Sequence, residues 1–331
     1  MSSQKASTLQ SKFLSSLSND ERAHVFELSK KLEVQVRGWV ERYPQLVRPV
    51  RVPQGCLTLA AAAPFLGADK LMPAALMIFW VFITDDLVDE GIKKGSVSAN
   101  ELWGRFDRAL ALLKNPRQVD TGGDPLLEAL KEIRDELARF PRFELLRGHL
   151  VEGLRRFLLR MRREAEWNAA YRHSPRHSMP TFRRYLKNER QTSGSRLIYL
   201  CVLTTMEEVS IRSAKDLQPL FAMEYQAACS IRLANDLRGY EREVGEGKQL
   251  NALNLLKLEL ETKEGLAEAA ALEKARELLT AAISDGLKNC VELKGKDAAT
   301  DAERFIVNLA SFACDFYAHH DYHHNIVRAQ G

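Results

Sequence analysis

Leu71-Met72-Pro73-Ala74-Ala75-Leu76-Met77-Ile78-Phe79-Trp80-Val81-Phe82-Ile83-Thr84-Asp85-Asp86-Leu87-Val88-Asp89-Glu90-Gly91 is the stretch on which the reading of this 331-residue chain turns. Leu71 to Ile83 is an apolar run of 13 residues that goes straight into two aspartates, so it is too short to span a bilayer and is expected as a buried helix. At helical period Asp85 and Asp89 stand at i,i+4 and Asp86 and Asp89 at i,i+3, which puts the carboxylates on one face. Like charges repel there, and the negative end of the helix dipole adds to the cost. A divalent cation resolves the conflict, and hard oxygen ligands suit Mg²⁺, which takes a few carboxylates, several waters and substrate phosphates. Phe79, Phe82, Asp86 and Asp89 form one stripe that passes from aromatic to acidic, the lining expected of a pocket that is greasy below and charged at its mouth. Trp80 lies off that stripe and is expected in the core. The competing reading is a solvated helix end whose acids simply face water.

Outward from this stretch the helical signals continue and hairpin signals are missing. Ser18 with Glu21 makes a capping box before an amphipathic run; Leu126, Leu127, Leu130, Ile133 and Leu137 keep helical spacing; Leu255 to Ile283 reads as one long helical stretch. Turn-forming clusters at Pro44 to Gly55, Pro116 to Pro125, Tyr171 to Pro180, Gly245 to Asn251 and Gly295 to Asp301 separate helix-length segments. No repeat, low-complexity block or linker divides the chain. The expectation is one all-α domain over residues 1–331, with about 1–17 disordered and about 325–331 a flexible tail.

Composition narrows the partners. Hydrophobic residues make up 45% and charged residues 28%, enough to build a core and too balanced for a disordered tract. The 48 Lys+Arg against 44 Asp+Glu leave a formal charge of +4 with no basic stripe, so nucleic acid is a poor partner. Five cysteines without a CxxC pair indicate neither a disulfide framework nor a zinc cage, and a reducing cytosol fits them. Met1 to Leu17 has no continuous apolar segment and does not read as a secretory signal.

A second oxygen-rich face lies in Asn235-Asp236-Leu237-Arg238-Gly239-Tyr240-Glu241-Arg242-Glu243. Asn235, Gly239 and Glu243 follow i, i+4, i+8 and can grip a second cation; Ala228 and Ile231 continue that face in apolar form, and Arg242 adjoins it. Between the two acidic stretches, Arg190 precedes Thr192-Ser193-Gly194 at the start of an apolar segment, where a helix break is expected. An arginine beside such a break can hold a phosphate bidentately, or can be an ordinary surface residue. Near the C-terminus, His319/His323 and His320/His324 form i,i+4 pairs that read either as a transition-metal site or as a His-rich segment without one.

These elements in this order resemble the class I terpene synthases (terpene cyclases) of the bacterial single-domain type. Asp85, Asp86 and Asp89 resemble the family's aspartate-rich metal motif, and Asn235, Gly239 and Glu243 its second motif, with Gly239 where Ser or Thr is usual. Arg190, 45 residues before Asn235, and Gly194, 41 before it, match the diphosphate-sensing arginine and the helix-break effector glycine. The resemblance implies an antiparallel α-helical barrel, three Mg²⁺ ions, and ionisation of a linear prenyl diphosphate, farnesyl diphosphate ahead of geranylgeranyl diphosphate, followed by cyclisation of the carbocation. It makes Arg190, Gly194 and Tyr322 the catalytic set, and Phe79, Phe82, Ala228, Ile231, Arg190 and Arg242 the substrate contacts. Tyr322 stands for the tyrosine of a C-terminal Arg-Tyr pair whose arginine is missing. A cytoplasmic enzyme, with a homodimer as an assembly that the family allows, completes the expectation. The alternatives are a prenyl-elongating or head-to-head synthase of the same fold, and a non-catalytic helical scaffold.

Overall fold

The computed structural model describes residues 7–115, 117, 120–173, 179–207, 211–294, 299–322 and 326–327. Among them run α1 (Lys12–Ser16), α2 (Asn19–Val40), α3 (Arg51–Ala62), α4 (Ala68–Asp86), a π-helical segment (Leu87–Gly91), α5 (Ile92–Lys94), α6 (Ala99–Lys114), α7 (Pro125–Leu137), α8 (Phe143–His173) and α9 (Phe182–Glu189). Then follow α10 (Ser195–Thr205), α11 (Leu217–Gly245), α12 (Ala252–Glu264), α13 (Glu268–Glu292) and α14 (Asp301–His319). The fold is all-α, as the sequence periodicity implies, and a barrel, as the family resemblance implies. One feature departs from pure helix: β1 (Ser7–Thr8) pairs in parallel with β2 (Ile326–Val327).

Local chemistry explains the helix boundaries. Ser18 and Glu21 form the expected capping box of α2, and Thr300 with Glu303 forms another at α14. Asp124 caps α7 with Pro125 in its first turn. Leu255 to Ile283 is not one helix: Gly265, at φ 66°, ends α12 before α13 begins. Gly55, expected in a turn, lies inside α3, where a Cβ would stand 3.0 Å from the Phe79 ring.

Helix α3 packs on α4, α4 on α10, α10 on α11, α11 on α14 and α14 back on α3, which closes a ring. Helix α4 also meets α2 and α7. The continuous helical span Ala68–Lys94 has the length and composition of a membrane crossing, but 72% of its apolar window is buried inside the protein, so packing accounts for its hydrophobicity. Trp80 is fully buried, its indole N–H donating to the Leu126 carbonyl at 3.0 Å, the core role expected of it.

Residues near the two ends of the chain meet. Residues 12–16 are helical, and the Ser11 hydroxyl and Phe13 N–H both donate to Asp315 on α14, at 2.7 and 3.1 Å. The Gln10 N–H donates to His320 Nε2 at 2.9 Å. Within the spans expected as disordered and as a tail, Ser7–Thr8 and Ile326–Val327 are the strands that pair with each other. His323 and His324 lie outside the described residues.

Candidate functional site

The acidic end of α4 is not a helix terminus. The backbone continues through the π segment and α5 to Gly95, whose φ of 70° ends the run, and Lys93 and Lys94 occupy the negative end of the dipole. Asp85, Asp86 and Asp89 therefore sit on a continuous helix that widens where its last aspartate falls. Their repulsion is met by tertiary cations. Arg51, 3% exposed, donates to both Asp86 oxygens at 3.0 Å, and Arg48 Nε lies 3.0 Å from Asp86 Oδ2. Arg48 and Lys94 also pair with Glu90, which they hold down at about 2. Lys248 Nζ donates to Asp89 Oδ2 at 2.5 Å. Asp85 has no such clamp: burial first, and then the charge of Asp89, raises it to about 7.

The facing wall is α11. Asn235 shares a hydrogen bond with the Tyr317 hydroxyl. Glu243 accepts from Asn251 Nδ2 at 2.9 Å and has Arg242 at 3.5 Å; burial and Asp236 raise its pKa. Gly239 offers no side-chain oxygen of its own, and a Cβ there would stand 2.6 Å from Glu243 Oε1. The glycine makes room for the glutamate's carboxylate. Asp236 turns away into a buried network, accepting from the Tyr185 hydroxyl at 2.8 Å and the Ala252 N–H at 3.0 Å, with Arg232 Nε 2.9 Å from its other oxygen.

Both walls border one cleft of about 530 Å³, which gathers Asp85, Asp86, Asp89, Asn235, Glu243, Arg242, Phe82 and Tyr322 from the expected residues. Sequence reasoning missed Arg48, Arg51, Glu164, Arg232, Lys248 and Tyr317, which share it. Of these only Arg232 had a readable signal, at i−3 from Asn235 on one helix face. Glu164 is hydrogen-bonded to Glu189, and burial followed by that neighbouring charge pushes it far above the usual carboxylate range.

Other expected residues are not brought to this cleft. Phe79 is buried against Gly55, Ala228 is buried, and Ile231 packs against the core. Arg190 and Gly194 line a separate cavity of about 250 Å³ with Arg156, Arg196 and Glu224. Arg190 lies 4.1 Å from the Tyr225 ring, in cation–π contact. The expected helix break is present: α9 ends at Glu189, and Gly194 opens α10 at φ 68°, where a Cβ would fall 2.6 Å from Val81 Cγ2.

Tyr322 shares a 2.7 Å hydrogen bond with Thr58 Oγ1 and packs its ring 5.1 Å from Phe82 and 4.9 Å from Phe316. Arg51 lies 4.8 Å over the Phe82 ring. Phe82, Phe316 and Tyr322 thus form an aromatic cluster that borders the cleft through Phe82 and Tyr322.

The donor set tests for a metal. Among the described residues no three His, Cys, Asp or Glu side chains already converge on one point. The oxygens present are hard donors, and burial first, then the neighbouring Asp89 charge, disfavours the ionised form of Asp85, a cost that a bound cation would lower. Mg²⁺ needs few protein oxygens and completes its shell with water and phosphate, so this open set fits it.

A family model described as terpene synthase family 2, C-terminal metal binding, matches residues 76–285, a span that contains both acidic walls. The chain is 27% identical to microbial terpene synthase-like protein 1 of Selaginella moellendorffii, over 68% of this chain and 65% of that one. It is 26% identical to the ent-pimara-9(11),15-diene synthase of Streptomyces sp. (strain KO-3988), over 67% and 72%. Grey poplar isoprene synthase, solved with three Mg²⁺ ions and dimethylallyl-S-thiolodiphosphate, superposes with a TM-score of 0.68 at 18% identity, covering 90% of this chain and 56% of the other. The chain thus spans just under two thirds of the Selaginella protein and about half of the poplar one.

Proposed function

Since this chain belongs to the terpene synthase family, we propose that it is a magnesium-dependent cyclase that ionises a linear prenyl diphosphate and closes the resulting carbocation into a terpene hydrocarbon or alcohol. Farnesyl diphosphate is the favoured substrate and geranylgeranyl diphosphate the next. The enzyme works as one catalytic domain in the cytoplasm; light scattering checks for the homodimer that the family allows.

The observation that carries this reading is the meeting of Asp85 and Asp89 with Asn235 and Glu243 across one cleft. Those four side chains would hold Mg²⁺, which supplies electrostatic stabilisation of the departing diphosphate. Arg242 is loosely held, 3.5 Å from Glu243 and 3.4 Å from Glu246, and is free to turn toward an anion. Phe82 and Tyr322 are aromatic side chains that border the cleft and would shield a carbocation from water. Arg51 keeps Asp86 paired and so reserves Asp85 and Asp89 for the mouth. Arg190 acts on the diphosphate only if the α9–α10 turn swings it out of its own cavity.

Incubation with C10, C15 and C20 prenyl diphosphates and MgCl₂, with mass spectrometry of the extract, tests the proposal. A terpene product from at least one substrate is expected; none from all three rejects cyclase activity.

A further inference from the structure

Lys248 stands among the carboxylates of the cleft, and the way α11 ends holds it there. Gly247 takes a φ of 78°, its N–H reaches the Val244 carbonyl at 3.0 Å, and the Lys248 N–H reaches the Glu243 carbonyl at 2.8 Å. These are the paired bonds of a Schellman ending. The backbone of Lys248 is thus hung on Glu243, on one wall, while its ammonium crosses to Asp89 on the other at 2.5 Å. Asp85 and Glu243 are the further acids whose charge acts on it. A second link crosses in the opposite direction, from Lys93 Nζ to the Glu246 carbonyl at 3.4 Å.

We propose that Lys248 is a built-in counter-cation that bridges the two acidic walls of the metal-free protein and competes with divalent cations for Asp89, so that metal enters chiefly together with a diphosphate. The inference rests on the metal-and-diphosphate reading of the cleft. An ammonium is a compact donor on a flexible four-carbon stem. While it occupies an Asp89 oxygen, a cation arriving alone must displace it and leave it only the more distant carboxylate of Glu246, 3.8 Å away. A diphosphate arriving with the cation offers the displaced ammonium new acceptor oxygens, so the two ligands help each other bind. With its side chain 30% exposed, Lys248 can make that exchange without unfolding its surroundings.

Mn²⁺ binding to the full chain, followed by the paramagnetic resonance signal of the free ion with and without inorganic diphosphate, tests this. Lys248→Met is expected to bind Mn²⁺ alone about ten-fold more tightly than the unaltered protein, with a smaller further gain from diphosphate. Lys248→Arg, which keeps the charge, is expected to stay within about twofold. Loss of the bridge also lowers the melting temperature of metal-free Lys248→Met. Mn²⁺ affinity equal to or weaker than that of the unaltered protein in Lys248→Met overturns the inference. Asp89→Asn separates the two failures. If the unaltered protein binds Mn²⁺, loses it in Asp89→Asn and gains nothing in Lys248→Met, only the role of Lys248 falls. If no form binds Mn²⁺ with or without diphosphate, the metal reading falls and takes this inference with it.

Discussion

On the α11 wall, Asp236 meets Arg232 from one helical turn earlier, 2.9 Å away, and the pair is closed by Tyr185 and the start of α12. On the α4 wall, Asp86 takes its bidentate partner from Arg51, 35 residues upstream on another helix. Asp89 takes its own from Lys248, 159 residues downstream. The Arg232–Asp236 pair is thus made within one helix, whereas the charge of the aspartate-rich wall is balanced by partners that only the closed barrel brings to it. Charge that a helix balances internally stiffens the scaffold; charge that waits for distant partners is left adjustable, which suits a surface that has to exchange counter-ions.

The comparison breaks first at the chemistry. Asp85→Asn and Asn235→Ala, one from each wall, are each expected to lower turnover on the order of 10²–10³-fold with unchanged helical circular dichroism. Retained turnover in either would remove that wall from the site. Stability should separate the walls next. Arg232→Met strands Asp236 and Glu189, whose side chains are 0% exposed, and is expected to cost about 3–5 kcal/mol in denaturant unfolding. Arg51→Met strands Asp86, which is 20% exposed and keeps Arg48, so about 1–2 kcal/mol is expected. Equal losses would show that the second wall is as self-contained as the first.

A pH series sharpens the contrast further. The fold favours protonated Asp85, so the stability this group contributes is fully present below its ordinary value of 3.8 and is lost as pH rises through about 7. The melting temperature of the metal-free protein should fall across that window relative to Asp85→Asn, and parallel curves would show that Asp85 is not held up. The smallest effect is expected from Gly239→Ala: the methyl meets the far ends of the Glu243 and Arg242 side chains and no backbone, so a stability change under about 1 kcal/mol is expected from thermal melting.

The all-α class, the α2 capping box and the break before α10 were legible because each rests on neighbours in the chain. Both acidic motifs were legible for the same reason, and they do face one cleft. Arg51 and Lys248 were not, because neither stands at a helical period from the aspartate it serves; only the closed ring of helices brings them there. Phe79 misled for a related cause. It lies on the same helical stripe as Phe82, but the bare Gly55 on α3 lets it sink into the core, and a stripe cannot report what faces it. Tyr322 was placed in the site on resemblance alone; its hydroxyl is bound to Thr58, and Tyr317 is the tyrosine that reaches Asn235.

The ladder between the two chain ends sets a timetable for the molecule. Gln10 and His320 are separated by 310 residues, about the longest loop this polypeptide can close, and contacts of such separation are the slowest to win back their entropy. Tyr322 follows immediately. Tyr322 packs on Phe82, so closing that long loop is also what brings the Tyr322 ring against the aspartate-bearing helix.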